Sequence, residues 1–136
     1  MKSAAPEFEP GFRLSIRDVI VLVVGIGSSI AFVKIAWQAS LIIAFAIGHF
    51  FLFCNVFRIS RSLEFMWAGI FVVLAGGTIC ADFPNWHATL VVSIVMTSLV
   101  ILIEMRRPSY HGIFWQQINP RLKDWWDSNA VDKGPN

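Results

Sequence analysis

The chain has 136 residues and a formal net charge of +2, and its composition is 56% hydrophobic and 15% charged. A soluble domain usually carries about 25% charged residues, so the composition disfavours an ordinary soluble globular protein. The charges are also segregated and leave four uncharged apolar runs, at 19–33, 35–57, 65–81 and 83–103. A nucleic-acid-binding module is excluded as well, because no dense basic face interleaved with aromatic residues is present.

The four apolar runs predict membrane-spanning helices. A helix rises 1.5 Å per residue and needs roughly 17–25 residues to cross a bilayer, a length that the second and fourth runs reach outright. The first and third are short, but Arg17, Lys34 and Glu64 at their ends can extend toward the headgroups. A soluble helical protein would instead need polar faces at helical spacing. We therefore predict an all-α membrane protein with four transmembrane helices, at about 18–37, 39–58, 63–81 and 86–104.

The N-terminus is predicted to be retained. Its first residues are polar for too long to form a signal peptide, and no small-residue cleavage site follows the first apolar run. The predicted organisation is an N-terminal tail at 1–17, a four-helix transmembrane domain at 18–104 and an aromatic-rich C-terminal tail at 105–136.

The distribution of positive charge predicts the orientation. In the four-helix topology, the two tails and the 58–64 loop lie on one side of the membrane, and only Lys34 lies on the other. The first side carries Lys2, Arg13, Arg17, Arg58, Arg61, Arg106, Arg107, Arg121, Lys123 and Lys133. Because basic residues concentrate in cytoplasmic loops, we expect both termini to be cytoplasmic in a multi-pass protein of a bacterial inner (plasma) membrane.

Residues at the helix ends fit this placement. Trp37 and Trp86 are expected at the outer ends and Trp67 near an inner end, where tryptophan favours the membrane interface. Lys34 and Asp82 both fall at the outer boundary, either as an ion pair or as two independently solvated charges.

The stretch "CNVFRISRSLEF" at 54–65 joins the second and third predicted helices. Arg58 suits the negative end of one helix and Glu64 the positive end of the next, so the segment is explained as a tight hairpin. A sharper hypothesis is a basic ring that binds anionic phospholipids or an acidic partner. Its members would be Arg17, Arg58, Arg61, Arg106 and Arg107.

Small and hydroxylated residues recur along the predicted helices. Gly25 and Ser29 are four residues apart, Gly76 and Gly77 are adjacent, and the fourth helix carries a stripe of Thr89, Ser93 and Thr97. Such residues let membrane helices approach closely and form hydrogen bonds across the interface. We interpret them as packing faces in preference to a conduit.

His49 is expected near the middle of the second helix, at about the depth of Ser93 and Thr97. It is either a neutral histidine bonded to one of those hydroxyls or a proton-relay, quinone or haem residue. Bis-histidine haem ligation within one chain is not expected, because His87 and His111 fall at the membrane boundary and in the tail. We predict no cofactor.

The C-terminal tail is rich in tryptophan. Pro108 and Gly112 separate it from the fourth helix, and Asn119 and Pro120 are typical of the start of a short helix. Its tryptophans are Trp115, Trp125 and Trp126. The pattern predicts an amphipathic helix on the membrane surface, or an aromatic anchor that docks into another subunit.

No catalytic motif is present, and no charged residue occupies a helix centre, as a carrier coupled to protons or ions would need. Cys54 and Cys80 fall on opposite sides of the membrane, so we expect neither a disulfide nor a metal site. The leading prediction is a non-catalytic accessory or scaffolding subunit of a larger membrane complex, with other membrane subunits and anionic phospholipids as partners. The alternatives are a small homo-oligomeric transporter or channel subunit, and a redox-complex subunit that contributes His49 to a quinone or haem site.

Overall fold

The computed structural model describes residues 8–131, and this part of the chain is all-helical. The helices are α1 (Ile16–Phe32), α2 (Trp37–Phe51, continued by a π-helical turn at Leu52–Val56), α3 (Arg61–Ala81), α4 (Trp86–Met105), α5 (Trp115–Ile118) and α6 (Leu122–Val131). Three segments, Trp37–Val56, Arg61–Ala81 and Trp86–Met105, are long and apolar enough to cross a membrane. The prediction of an all-helical protein with membrane-compatible helices is therefore confirmed.

Helix starts follow from local capping. Ser15 and Asp18 form a reciprocal capping box at α1, in which the Asp18 carboxylate accepts the Ser15 backbone N–H at 2.7 Å. Asn85 caps α4 through its side-chain oxygen, which accepts from the Ala88 N–H at 2.9 Å. Ser60 precedes α3, but its hydroxyl makes no cap bond and instead donates to Glu104 on α4, at 3.0 Å.

Most helix ends lie close to the predicted bounds, and the ends of α1 and α2 show how the chain leaves each helix. α1 ends at Phe32, before the predicted residue 37, and the chain turns over residues 33–36 to start α2. At the other end of α2, the π-helical turn leads into Arg58, which adopts a left-handed backbone with φ of 49°. A single charged residue, Lys34 or Arg58, marks each place in the sequence, but an isolated charge can also lie in the last turn of a membrane helix, so it did not fix either helix end.

α1 and α2 form an antiparallel hairpin with contacts at three depths. Near the α2–α3 connection Asp18 meets Asn55, in the middle Gly25 faces Ile47, and near the 33–36 turn Ser29 meets Ser40. α1 therefore runs beside α2 over nearly its whole length.

α3 and α4 form the second hairpin, closed near its turn by a hydrogen bond of 2.7 Å between the Thr78 and Thr89 hydroxyls. Gly77 permits this turn to fold back, because a Cβ there would lie 2.7 Å from the backbone oxygen of Phe83. The two hairpins meet in a core that contains Phe53, Trp67, Phe71 and Val100. Because both turns lie at one end of the bundle, both tails and the α2–α3 connection lie at the other.

Candidate functional site

The two tails and the α2–α3 connection pack together at one end of the bundle, and we call this assembly the tail junction (residues 8–13, 52–60 and 106–126). The Gly11 N–H donates to the His111 carbonyl at 2.8 Å, and the Ile113 N–H donates to the Val56 carbonyl at 2.8 Å. Gly112 is required here, because a Cβ would lie 2.5 Å from the backbone oxygen of Phe57. Backbone contacts thus hold three separate parts of the chain together.

Aromatic side chains fill the tail junction. The ring of Phe8 makes edge contacts with Trp115 and Trp126, at centroid distances of 5.9 and 5.5 Å. Tyr110 is 1% exposed and donates its hydroxyl to the Ile113 carbonyl at 2.8 Å. Burial, and secondarily the Glu104 charge, raise the pKa of Tyr110 to about 12. The only tyrosine of the chain is therefore a structural residue of this assembly.

A buried polar cluster links the tail junction to α4. The Glu104 carboxylate, 4% exposed, accepts the Ser60 hydroxyl at 3.0 Å and lies 3.5 Å from the Arg107 guanidinium. Arg107 also donates to the Ser60 hydroxyl oxygen, at 3.0 Å. The cluster satisfies a buried carboxylate and ties the α2–α3 connection to the end of α4.

Asn55 in the π-helical turn performs a similar function for the N-terminal tail. It is 2% exposed, and its backbone carbonyl accepts the Arg13 N–H at 3.2 Å. In the orientation that satisfies both amide groups, its Nδ2 donates to the Asp18 carboxylate at 2.8 Å and to the Arg13 carbonyl. Because a π turn shifts the register of the following residues, it places this amide against the start of α1.

His49 lies in an aromatic layer between the hairpins. Its ring stacks on Trp67 at a centroid distance of 4.5 Å and contacts Phe45 at 4.2 Å. Its Nδ1 lies 2.8 Å from the Phe45 carbonyl, one helical turn away, and not beside the hydroxyls of Ser93 or Thr97. The Trp67 indole reaches those residues instead, since its Nε1 donates to the Thr97 hydroxyl at 2.9 Å and to the Ser93 carbonyl at 3.2 Å.

The structure places several of the predicted packing residues at helix contacts. Ser29 and Ser40 exchange hydrogen bonds of 2.8 to 3.0 Å across the first hairpin, and Gly25 admits the end of Ile47. Ser93 and Thr97 are buried between α3 and α4. The two adjacent glycines of α3 differ, however. Gly77 faces the backbone of the following turn, whereas a Cβ at Gly76 would meet nothing within 4 Å.

The five arginines of the proposed basic ring have different surroundings. The half-buried Arg58 guanidinium donates to the Glu9 carbonyl, and burial followed by the nearby Arg13 charge lowers the pKa of Arg58. Arg17 and Arg61 are exposed on the first turns of α1 and α3. Arg106 and Arg107 line one open groove of about 510 Å³. This groove, which we call the α4-end groove, is also lined by Leu102, Met105, Pro108, Ile118 and Asn119.

The tail tryptophans are partly buried. Trp115 lies in α5 and Trp125 and Trp126 in α6, and Leu122 of α6 is fully buried. The ring of Phe114 is 62% exposed, and its backbone is left-handed with φ of 57°. Lys2 and Lys133, which also belong to the predicted cytoplasmic charge, lie outside the described residues.

Sequence reasoning missed three residues of these contacts. For Trp67 the sequence suggested only a place near an inner membrane end, and it did not indicate that the side chain is 5% exposed and packs in the core. The burial of Glu104 was likewise not predicted. Ser40 was not predicted to be a packing residue, although its position in the sequence indicates that it is. Ser29 and Ser40 are almost equally distant from the 33–36 turn, and a hairpin places such residues opposite each other.

Within residues 8–131, no group of three or more His, Cys, Asp or Glu side chains is arranged to hold a metal ion. The fold and its contacts define an all-helical protein with membrane-compatible helices and a folded junction of its tails. No protein-family model matches the chain, and no curated protein or solved structure matches it either.

Proposed function

We propose that the chain is a non-catalytic accessory or scaffolding subunit of a larger integral membrane complex. The observation that supports this proposal is that its buried polar side chains form their hydrogen bonds within the chain itself. In the described part of the chain, no buried side-chain nitrogen or oxygen lacks a hydrogen-bond partner. The hydroxyl stripe of Thr89, Ser93 and Thr97, which a conduit would expose to water or substrate, is buried and bonded within the α3–α4 contact.

The proposed topology has four membrane crossings. α1 has 17 residues and a length of roughly 26 Å, somewhat less than the hydrocarbon core of about 30 Å. Its contacts with α2 near both ends and in the middle support a crossing, because a helix lying on the membrane surface could not follow a spanning neighbour. Both termini then lie on one side.

We propose that this side is the cytoplasm and that the membrane is a bacterial inner membrane. The support is the charge distribution. Within residues 8–131, all lysines and arginines except Lys34 lie toward the tail-junction end. The positive-inside rule assigns such an end to the cytoplasm.

The docking surface of the proposed subunit is one part of the assembled tail junction, around Phe114, and not two separate tails. Trp115 and Trp126 contact Phe8 of the same chain, so part of their aromatic surface is not available to a partner. Phe114 remains as a large apolar side chain that projects from this junction. Exposed aromatic residues on a rigid support are typical anchors of protein interfaces.

The experiment is purification of the full chain from its native membrane in mild detergent, followed by intact-complex mass determination and subunit identification. We expect foreign subunits in fixed stoichiometry. The Phe114→Asn variant should reduce their recovery, because asparagine tolerates the left-handed backbone and removes only the aromatic anchor. Lys123→Gln, on the exposed surface of α6, is the matched control and should leave recovery unchanged.

Two results would overturn the proposal and favour one of the alternatives. A homo-oligomer with no other protein would favour a transporter or channel subunit. A haem spectrum or co-purified quinone that is lost in a His49→Phe variant would favour a redox subunit. Equal recovery from the Phe114 and Lys123 variants would retain a subunit role but place the docking surface elsewhere.

A further inference from the structure

The α4-end groove lies where a candidate membrane span ends. α4 extends to Met105, so Arg106 and Arg107 follow the apolar segment directly, at the level expected for lipid headgroups. Leu102, one helical turn earlier, is 52% exposed on the side that a bilayer would cover. The groove therefore joins a basic part at the level of the lipid headgroups to an apolar part at the level of the acyl chains.

Hydrogen bonds within the chain hold the far wall of this groove in place. The Asn119 amide donates to the Pro108 carbonyl at 2.6 Å and to the Tyr110 carbonyl at 3.2 Å. These bonds fix Ile118 and the end of α5 opposite the last turn of α4. The volume, about 510 Å³, lies in the range of small-molecule sites, roughly 300–1,000 Å³.

The two arginines of the groove are not equivalent. Arg107 is partly neutralised by Glu104 at 3.5 Å and also donates to Ser60. For Arg106, the described residues provide no ion-pair partner and no side-chain hydrogen bond. The carboxyl end of α4 carries a partial negative charge that would repel an anion. The guanidinium of Arg106 is therefore needed to make the electrostatic potential of the groove positive.

We propose that the α4-end groove binds one anionic phospholipid. Its phosphate contacts Arg106 and the unoccupied donors of Arg107, and one acyl chain lies along Leu102 and Met105. Guanidinium groups bind phosphate through charge-assisted, often bidentate hydrogen bonds. The proposal goes beyond the subunit function, since it requires neither a partner protein nor a given orientation of the termini.

A phospholipid fits the groove better than a free anion or an acidic peptide. The apolar residues of the groove are continuous with the exposed face of α4, which includes Leu99. That face would lie against acyl chains in a membrane, so a lipid already present there needs only to place its headgroup in the groove. A soluble anion would leave Leu102 and Met105 without a partner.

The test is native mass spectrometry of the full chain in detergent, titrated with phosphatidylglycerol or with phosphatidylcholine of the same chain length. We expect one preferentially bound phosphatidylglycerol. Arg106→Gln should weaken its retention about fivefold, as expected for the loss of one basic contact at a lipid surface. Arg106→Lys should restore part of it, and Arg61→Gln, which removes an arginine outside the groove, should leave it unchanged.

The possible results distinguish a specific lipid site from diffuse electrostatic attraction and from binding of a soluble anion. Equal retention of the two lipids, or equal losses from Arg106→Gln and Arg61→Gln, would overturn the proposal in favour of diffuse attraction. Displacement of the lipid by glycerophosphoglycerol or an acidic peptide at equal concentration would also overturn it, because neither occupies the apolar part of the groove. Circular dichroism that matches the unmodified protein would show that each variant is folded.

Discussion

The adjacent glycines of α3 provide a matched test of close packing. A Cβ at Gly77 would lie 2.7 Å from the backbone oxygen of Phe83, and Pro84 Cδ would lie 3.7 Å away. That oxygen belongs to the turn between the hairpin helices and cannot move as the end of a flexible side chain can. At Gly76 a Cβ would meet nothing within 4 Å. Replacing each glycine with alanine therefore adds the same atom in two different environments.

The expected magnitude follows from two opposing effects. Alanine at either position stabilises the helix by roughly 1 kcal/mol relative to glycine. This gain is common to both variants and cancels when their stabilities are compared. The forced contact at Gly77→Ala costs about 1–3 kcal/mol, as other over-packed sites do. We expect Gly77→Ala to be less stable than Gly76→Ala by about 2 kcal/mol, or roughly 30-fold in the unfolding equilibrium constant.

The assay is equilibrium unfolding in mixed micelles with increasing denaturing detergent, followed by circular dichroism. Gly76→Ala is expected to be as stable as the unmodified protein or slightly more stable. If the two variants unfold within about 0.5 kcal/mol of each other, the fold-back of the α3–α4 turn onto Gly77 is wrong.

Three further predictions concern hydrogen bonds and ionisation. Trp67→Phe should lower the free energy of unfolding by about 1–2 kcal/mol in the same assay, because the acceptor oxygens of Ser93 and Thr97 lose their indole donor. Ser29→Ala should cost about 0.6–1.7 kcal/mol, whereas the neighbouring Ser28→Ala should be nearly neutral. Tyr110, the single tyrosine, should ionise near pH 12 in an ultraviolet absorbance titration. Since its folded pKa lies above its ordinary value of 10.0, its stabilising contribution is complete below pH 10 and is lost as the pH rises toward 12.

Each of these has a result that contradicts it. A Trp67→Phe protein of unchanged stability would mean that the indole donor is dispensable in the core. Equal effects of the Ser28 and Ser29 variants would remove the special contribution of the Ser29–Ser40 pair. Ionisation of Tyr110 near pH 10 would show that the tail junction is open to water.

The chain's helical, membrane-compatible character could be predicted from composition alone. The runs at 35–57, 65–81 and 83–103 exclude charge, and the structure has the three candidate spans in the same regions. This prediction works because a bilayer demands backbone groups satisfied within each segment, so a long uncharged run has few alternatives to a helix.

The contacts between helices could be predicted only in part. Ser29, Ser93 and Thr97 were recognised because small polar residues stand out in an apolar run. Trp67 was assigned to the membrane interface because tryptophan is common there, and no local pattern indicated that Glu104 would be buried. The choice of Trp67 as the partner of Thr97 depends on how α3 and α4 pack within the second hairpin, and no local sequence pattern indicates that packing.

The sequence by itself determined the helices, because hydrocarbon tolerates apolar side chains on every face of a helix. For the same reason it left open which faces pack, since the faces toward lipid and toward protein are equally apolar. Only the tertiary structure decided the stacking of His49 on Trp67 and the shape of the α4-end groove. It also brought Gly11 to His111 in the tail junction, which depends on hydrogen bonds between residues far apart in the chain.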